Sequence, residues 1–256
     1  MDLSIFALNG KVAVVTGGNS GIGRGIAEGL AEAGADIVIA ARRFEQCREV
    51  CSEIEKKAGV KCLAIKCDVT KTDEVNSLIE STIKKFGKVD ILVNSAGIGM
   101  SDKPVVEMTD EDWDATLNIN LRGTFLCSRA AAREMIKQKQ GKIIDVSSIY
   151  GTSRAIRNAG DYCASKAAVI QLARVMALEL ARYNIQVNVI CPGYFLTPMN
   201  YEFLSSEVGQ KVVKASIPMQ RSGNVDELKG IAIYLASRAS SFTTGAIIVV
   251  DGGHII

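Results

Sequence analysis

Tyr162 and Lys166 stand four residues apart, a spacing that on a helix puts both on one face. An ordinary tyrosine, with a pKa of about 10, is a poor base near neutrality. A neighbouring ammonium favours the phenolate and lowers that value. A phenol tuned in this way takes a proton from an alcohol or gives one to a carbonyl oxygen. Ser148, at the end of an apolar run, can hydrogen-bond the same oxygen and stabilise charge developing there. Each residue also has a plainer reading, as a surface aromatic, a solvated charge and a strand-end hydroxyl.

A second chemical feature lies near the start. Thr16-Gly17-Gly18-Asn19-Ser20-Gly21-Ile22-Gly23 follows an apolar strand and opens a helix. Glycines in that context permit a tight turn and let backbone N–H groups and the helix N-terminus approach a pyrophosphate. The alternative is an ordinary turn between strand and helix.

The elements that must position these residues alternate along the whole chain. Strands are expected at Val12–Thr16, Asp36–Ala41, Lys61–Cys67, Ile91–Asn94, Lys142–Ser147, Gln186–Ile190 and Ala246–Val250. Their short Val- and Ile-rich runs, without polar alternation, suit a parallel sheet covered on both faces. Between them, Ile22, Ile26 and Leu30, and Val75, Leu78, Ile79, Ile83 and Phe86, fall at helical spacing. Thr109-Asp110-Glu111-Asp112 is a capping-box variant that opens a long helix. The expected fold is α/β: a single-domain, Rossmann-type, doubly wound parallel seven-stranded sheet spanning residues 1–256. The stretch 192–224, with Pro198 and Pro218 and weak helix signals, reads as an irregular substrate lid.

The spacing G-x-x-x-G-x-G after Thr16 resembles the short-chain dehydrogenase/reductase family. Asp68-Val69, Asn94-Ser95-Ala96-Gly97, Asn120, Ser147-Ser148, Tyr162-Cys163-Ala164-Ser165-Lys166, Pro192-Gly193 and Asp251-Gly252-Gly253 follow in that family's order. The resemblance covers nearly the whole chain, and lies with gluconate 5-dehydrogenase-like and 3-oxoacyl reductase-like members. It implies catalysis by Asn120, Ser148, Tyr162 and Lys166, with Asn120 anchoring a water in a proton relay. It implies that Gly17, Asn19, Ser20, Gly21, Ile22 and Gly23 cradle a nicotinamide dinucleotide. Asp68 and Val69 would meet its adenine, and Asn94, Ala96 and Gly97 its ribose side. Lys166, beside Tyr162, would hold the nicotinamide ribose. Pro192, Gly193, Phe195 and Thr197 would contact the nicotinamide end, although Thr197 could equally be a helix cap before Pro198.

Relatives specific for NAD commonly carry an acid at the end of the second strand. Ala41 stands there, followed by Arg42 and Arg43, and a guanidinium suits a 2′-phosphate. NADP(H) is therefore expected, with NAD(H) as the alternative. The expected substrate is a small carbonyl or alcohol of hydroxy/keto-acid or sugar-acid type, its carboxylate gripped by Arg154 and Arg157 unless these point to solvent. A 3-ketoacyl thioester, or a non-catalytic dinucleotide-binding regulatory protein, is the alternative reading. An isomerase, epimerase or dehydratase fits less well, since such relatives carry a larger C-terminal portion.

Composition bounds the remaining possibilities. The chain has 256 residues, 48% hydrophobic and 23% charged, with a net charge of +2 scattered along its length. That excludes a dedicated basic nucleic-acid face. No apolar run approaches a bilayer span, and Met1 to Phe6 lacks a signal-peptide pattern, so a cytoplasmic location is expected. Seven cysteines without regular spacing read as free thiols, and with His254 the single histidine no metal site is expected. His254 itself reads as a surface residue. A homotetramer is expected, with Ala130-Ala131-Ala132 and the Val169, Leu172, Met176, Leu180 stripe as packing faces, unless that stripe faces its own sheet.

Overall fold

The computed structural model describes residues 3–256; Met1 and Asp2, on which the reading of the N-terminus partly rests, lie outside them. The strands are β1 (Val12–Thr16), β2 (Asp36–Ala41), β3 (Cys62–Lys66), β4 (Ile91–Asn94), β5 (Gly141–Val146), β6 (Ile185–Pro192) and β7 (Ile247–Val250). They form one seven-stranded parallel sheet in the order β3-β2-β1-β4-β5-β6-β7. Each expected strand is present, with ends displaced by at most two residues. The chain reverses direction across the sheet at β1 and β4, the place where open α/β sheets leave a crevice.

Helices α1 (Gly21–Glu32), α2 (Phe44–Ala58), α3 (Thr72–Phe86), α4 (Asp110–Leu117), α5 (Gly123–Gln138), α6 (Gly160–Leu180), α7 (Tyr201–Ser205), α8 (Glu207–Ser216) and α9 (Lys229–Ala236) connect the strands. Successive strand residues point to opposite faces, so Val12 and Val14 join one core and Ala13 and Val15 the other. On the first face Leu78, Leu126, Ile143 and Ile170 meet. On the second, Ile26, Leu30, Ile54, Ile144 and Leu235 meet. Both faces are therefore dry, which is why the strands lack polar alternation.

Thr109 does cap α4, and its hydroxyl and the Asp112 carboxylate exchange bonds with each other's backbone N–H. The long helix it opens is interrupted by one π turn, Asn118–Arg122, before α5 continues. The stretch after β6 is more regular than the sequence suggested. Ser206 caps α8, accepting from Gly209 N at 3.0 Å, and Leu204, Val213 and Ile217 form a small satellite core.

Other expectations need correction. Cys51 on α2 and Cys62 at the start of β3 form a disulfide, so not all seven cysteines are free. Gly59, at φ +70°, turns the chain back between them and leaves their Cα atoms 5.1 Å apart, within bridging range. Val169, Leu180 and the three alanines of α5 are buried against their own sheet; the outward apolar residues of α5 and α6 are instead Phe125, Val175 and Leu178. His254 is buried at 3% exposure. Asp251 accepts from the N–H groups of Gly253 and Ile255, which folds the tail inward and lays the imidazole on the Tyr194 ring. Among the described residues, no helix is long and apolar enough to cross a membrane, and no group of His, Cys, Asp and Glu could hold a metal ion.

Candidate active site

Thr16 of β1, Asn94 of β4, Asp145 of β5 and Val189 of β6 lie side by side in register. The segments that leave the strands just beyond this line make a cleft of about 640 Å³. The turn after β1 forms one wall. Gly17, at φ +67°, has no room for a side chain: a Cβ would lie 2.8 Å from the backbone of Ala96. Thr16 Oγ1 accepts from Ser95 N at 3.2 Å and Ala96 N at 3.3 Å, fixing the β1 and β4 ends together. Ser20 precedes α1 but its side chain does not cap the helix. The first-turn N–H groups thus remain available to an anion. The Cβ space around Gly23 is filled by the Gly17 carbonyl, which brings α1 hard against the turn.

Another wall of the cleft is made by Ala41, the last residue of β2, and by Arg42 and Arg43 just beyond it. Arg43 Nη2 donates to Ser20 Oγ at 3.4 Å, so a guanidinium already spans from the β2 end to the α1 N-terminus. Asp68 is tied to Thr70, whose N–H and hydroxyl it accepts at 3.0 and 2.8 Å. Burial raises its carboxyl, but these bonds, with Arg42 and Lys71 nearby, outweigh that and hold it below the usual range.

A third wall carries reactive groups. Tyr162 and Lys166 lie in the first turns of α6, with Lys166 Nζ 5.7 Å from the phenol ring centroid. Ser148 lies two residues beyond β5, and its Oγ accepts from Tyr150 N at 3.2 Å. Lys166 Nζ donates to the Val146 carbonyl at 3.0 Å. Burial drives the Lys166 ammonium down to about 8, against the opposing pull of Cys191 and Asp145. Burial also pushes Tyr162 up, and the adjacent Ser148 hydroxyl only partly offsets this. The lowered tyrosine expected from the Lys166 neighbour is not found: desolvation raises the phenol and outweighs the Ser148 bond, the one influence that lowers it.

Asn120 sits in the π turn, almost fully buried. Its Oδ1 accepts from Ile98 N at 2.9 Å and its Nδ2 donates to Ser165 Oγ at 3.1 Å. A Cβ on Gly97 would lie 3.2 Å from Asn120 Oδ1 and 3.6 Å from Lys166 Nζ, so the three residues meet. Ser148, Tyr162, Lys166 and Asn120 are therefore brought together.

Others go elsewhere. Asn94 turns into the sheet, its Nδ2 donating to Ser128 Oγ and Asp145 Oδ1 at 2.7 Å each, while Ser95, Ala96 and Gly97 line the cleft. Asn19 lines the cleft and donates to Gln46 Oε1 at 2.9 Å. Ile22 and Val69 also face it. Pro192 ends β6, Gly193 packs on Asp251, and Phe195 is buried against Gly223. Thr197 reaches the cleft with Pro198 and Met199, held by Asn200 Oδ1 at 2.9 Å from its N–H. Arg154 donates to the His254 carbonyl at 2.6 Å and Arg157 is exposed; neither lines the cleft. Ser95, Ile98, Ile119, Val146, Ser147 and Met199 line it without having been expected. Each is close in sequence to an expected residue, which was the available signal.

The arrangement can exchange a proton at the Tyr162 hydroxyl beside a groove shaped for an extended anion. Residues 17–254 match the family model described as Enoyl-(Acyl carrier protein) reductase. The 2-dehydro-3-deoxy-D-gluconate 5-dehydrogenase of Dickeya dadantii is 39% identical over 256 residues, 100% of this chain and 99% of that protein. The 3-oxoacyl-(acyl-carrier-protein) reductase of Aquifex aeolicus is 38% identical over 246 residues, 96% of this chain and 98% of that protein. The crystal structure of a gluconate 5-dehydrogenase from Burkholderia cenocepacia in complex with NADP and tartrate superposes with a TM-score of 0.93 at 38% identity, covering 98% of this chain and 97% of that one.

Proposed function

Since this chain belongs to the short-chain dehydrogenase/reductase family, and is thereby an oxidoreductase acting on CH–OH groups, we propose that it interconverts a hydroxy acid and a keto acid using NADP(H). The observation that carries the reading is the meeting of Ser148, Tyr162, Lys166 and Asn120, of which Tyr162 and Lys166 line the cleft, together with Arg42 and Arg43, which line it too. The cradle suits the dinucleotide: Gly17 lets the turn close against Ala96, and the uncapped α1 N-terminus faces the groove. When bound, the nicotinamide supplies or accepts the hydride. The protein's part is to hold the reacting oxygen between Ser148 and Tyr162 and to move a proton at the Tyr162 oxygen. Lys166 places positive charge behind that phenol. Asn120 holds Ile98, and with it the floor of the cleft, and would anchor the water of a proton relay. The stretch 192–224, which brings Thr197 and Met199 to the cleft, would serve as the lid.

The absence of an acid at Ala41 supports NADP(H), as does the Arg43–Ser20 contact, which sets a cation where a 2′-phosphate would sit. Replacing Arg42 and Arg43 by Ala should raise KM for NADPH about tenfold or more and leave KM for NADH nearly unchanged, the loss of charge-assisted bonds being worth about 1.5–3 kcal/mol. The 3-oxoacyl reductase relative favours a ketoacyl thioester as the second reading. One panel separates them: each keto acid, its neutral ester and a ketoacyl thioester, assayed with NADPH and with NADH. Preference for the acids supports the first reading. Preference for the thioester replaces it, and no turnover with any member refutes both.

A further inference from the structure

Asp145 is a carboxyl with no exposure at all, set at the end of β5 between the Asn94 of β4 and the Lys166 of α6. Its Oδ1 accepts from Asn94 Nδ2 at 2.7 Å. The partner oxygen of each side chain, Asp145 Oδ2 and Asn94 Oδ1, is buried and without a hydrogen-bond partner. Two lone acceptors on a contacting acid and amide cannot satisfy each other while the acid is ionised. A proton on Oδ2 converts one of them into a donor and closes the pair in both directions. Lys166 does not supply the missing donor: its Nζ bonds to the Val146 carbonyl, and among the described residues it enters no salt bridge within 4.0 Å.

We propose that Asp145 is a positioning residue that carries a proton in the working enzyme, donates it to Asn94 Oδ1 in a closed acid–amide pair, and so leaves the Lys166 ammonium without a counter-ion behind Tyr162. The pair has two effects on the site. It fixes Asn94, and hence the Ser95-Ala96-Gly97 wall of the cleft. It also preserves the field at Tyr162, because an anion behind Lys166 would cancel part of the charge that favours the phenolate. Burial pushes Asp145 up to about 7, in keeping with this, while the Asn94 bond and Lys166 act against it. The titratable groups that interact with Asp145 are Cys127 from α5 and Lys166 from α6, with Cys191 of β6 next to Lys166; β4 offers Asn94 and α5 also Ser128, neither charged. Burial pushes both thiols up, Cys191 to about 11, so they stay neutral where Asp145 titrates.

The role deepens the oxidoreductase reading, but one arm of its test does not depend on it. Infrared spectra of the whole protein at about pH 6 should contain the carbonyl stretch of a protonated carboxylic acid. The band should vanish in Asp145→Asn and survive in Asp161→Asn, which removes the other buried aspartate with an unpaired oxygen. In the second arm, NADPH binding is followed by its fluorescence. An amide donates and accepts as a protonated acid does, so Asp145→Asn should bind within about twofold of wild type at pH 6, while Asp145→Leu weakens binding about tenfold or more. Above neutrality the wild type gains a carboxylate that holds the proton on Lys166, and Asp145→Asn does not. Its NADPH affinity should therefore fall at lower pH than that of the wild type. Absence of the acid band, its survival in Asp145→Asn, or a tenfold loss of affinity in that variant at pH 6 overturns the proposal. Failure of the wild type to bind NADPH would instead strike the cofactor reading, with the infrared arm still deciding the state of Asp145.

Discussion

Burial makes the Tyr162 phenol harder to ionise and the Lys166 ammonium easier to lose, and both changes oppose the chemistry asked of the pair. Their usefulness lies in closeness: in a site with little water a charge acts on its neighbour more strongly than it would outside. Tyr162→Phe should remove nearly all turnover and leave NADPH affinity within about threefold, because it deletes the proton-transferring oxygen and none of the cradle. Comparable wild-type and variant rates would refute the mechanism. Lys166 has a second consequence. Its folded pKa, about 8, lies below the ordinary lysine value of 10.5. The folded state therefore binds this proton less well than the unfolded one, and the cost is full below about pH 8 and relieved as pH rises from there towards 10.5. Lys166→Met should thus melt higher than the wild type at pH 7, with a gap that narrows through that window, while NADPH affinity is lost. A lower melting temperature at pH 7 would show that the Val146 bond outweighs the buried charge. Ser148, Tyr162 and Lys166 could be read from sequence because their chemistry demands both type and spacing. Asn94 and His254 could not, since whether a side chain turns inward depends on strand partners and on a tail fold absent from the local pattern.

Among the elements, α6 does most to place the chemistry, and its start is pinned by Asp161. That carboxylate is fully buried, accepts from Thr116 Oγ1 of α4 at 2.8 Å and Ser101 N at 3.2 Å, and lies in the first turn, where negative charge is favoured. Asp161→Ala leaves the buried Thr116 hydroxyl and the half-buried Ser101 N–H unpaired. It should cost about 1–3 kcal/mol in urea denaturation and, because Tyr162 is the next residue, lower kcat more than it raises KM. An unchanged denaturation midpoint would show that the first turn is held by other contacts. The strands were readable because β-branched runs bounded by turn residues leave few alternatives. The π turn was not, because shifting a hydrogen bond by one residue leaves no mark on composition. Helices α7 and α8 were missed for a related reason: each is short, and together they bury only the small cluster around Leu204, Val213 and Ile217.

For the molecule as a whole, the sequence conveyed the sheet and both its covered faces, but not which apolar residues remain outside. Phe125, Val175 and Leu178 stay partly or largely exposed, with Leu178 at 83%. Such residues on neighbouring helices suit a symmetric contact between copies of the chain. Light scattering at micromolar concentration should give four times the chain mass of 27.4 kDa, and Leu178→Glu should reduce it. A monomer mass for the wild type would disprove the assembly. The strand order also bears on how the chain is made. Strand β1 acquires both its sheet neighbours, β2 and β4, within the first 94 residues, whereas Tyr162 lies beyond β5. A chain leaving the ribosome can therefore close the glycine turn against Ala96 while its tyrosine is still unmade. In pulsed hydrogen exchange during refolding, amides of β1, β2 and β4 should gain protection before those of β6 and β7, so that the anion cradle is the template on which the reactive half assembles.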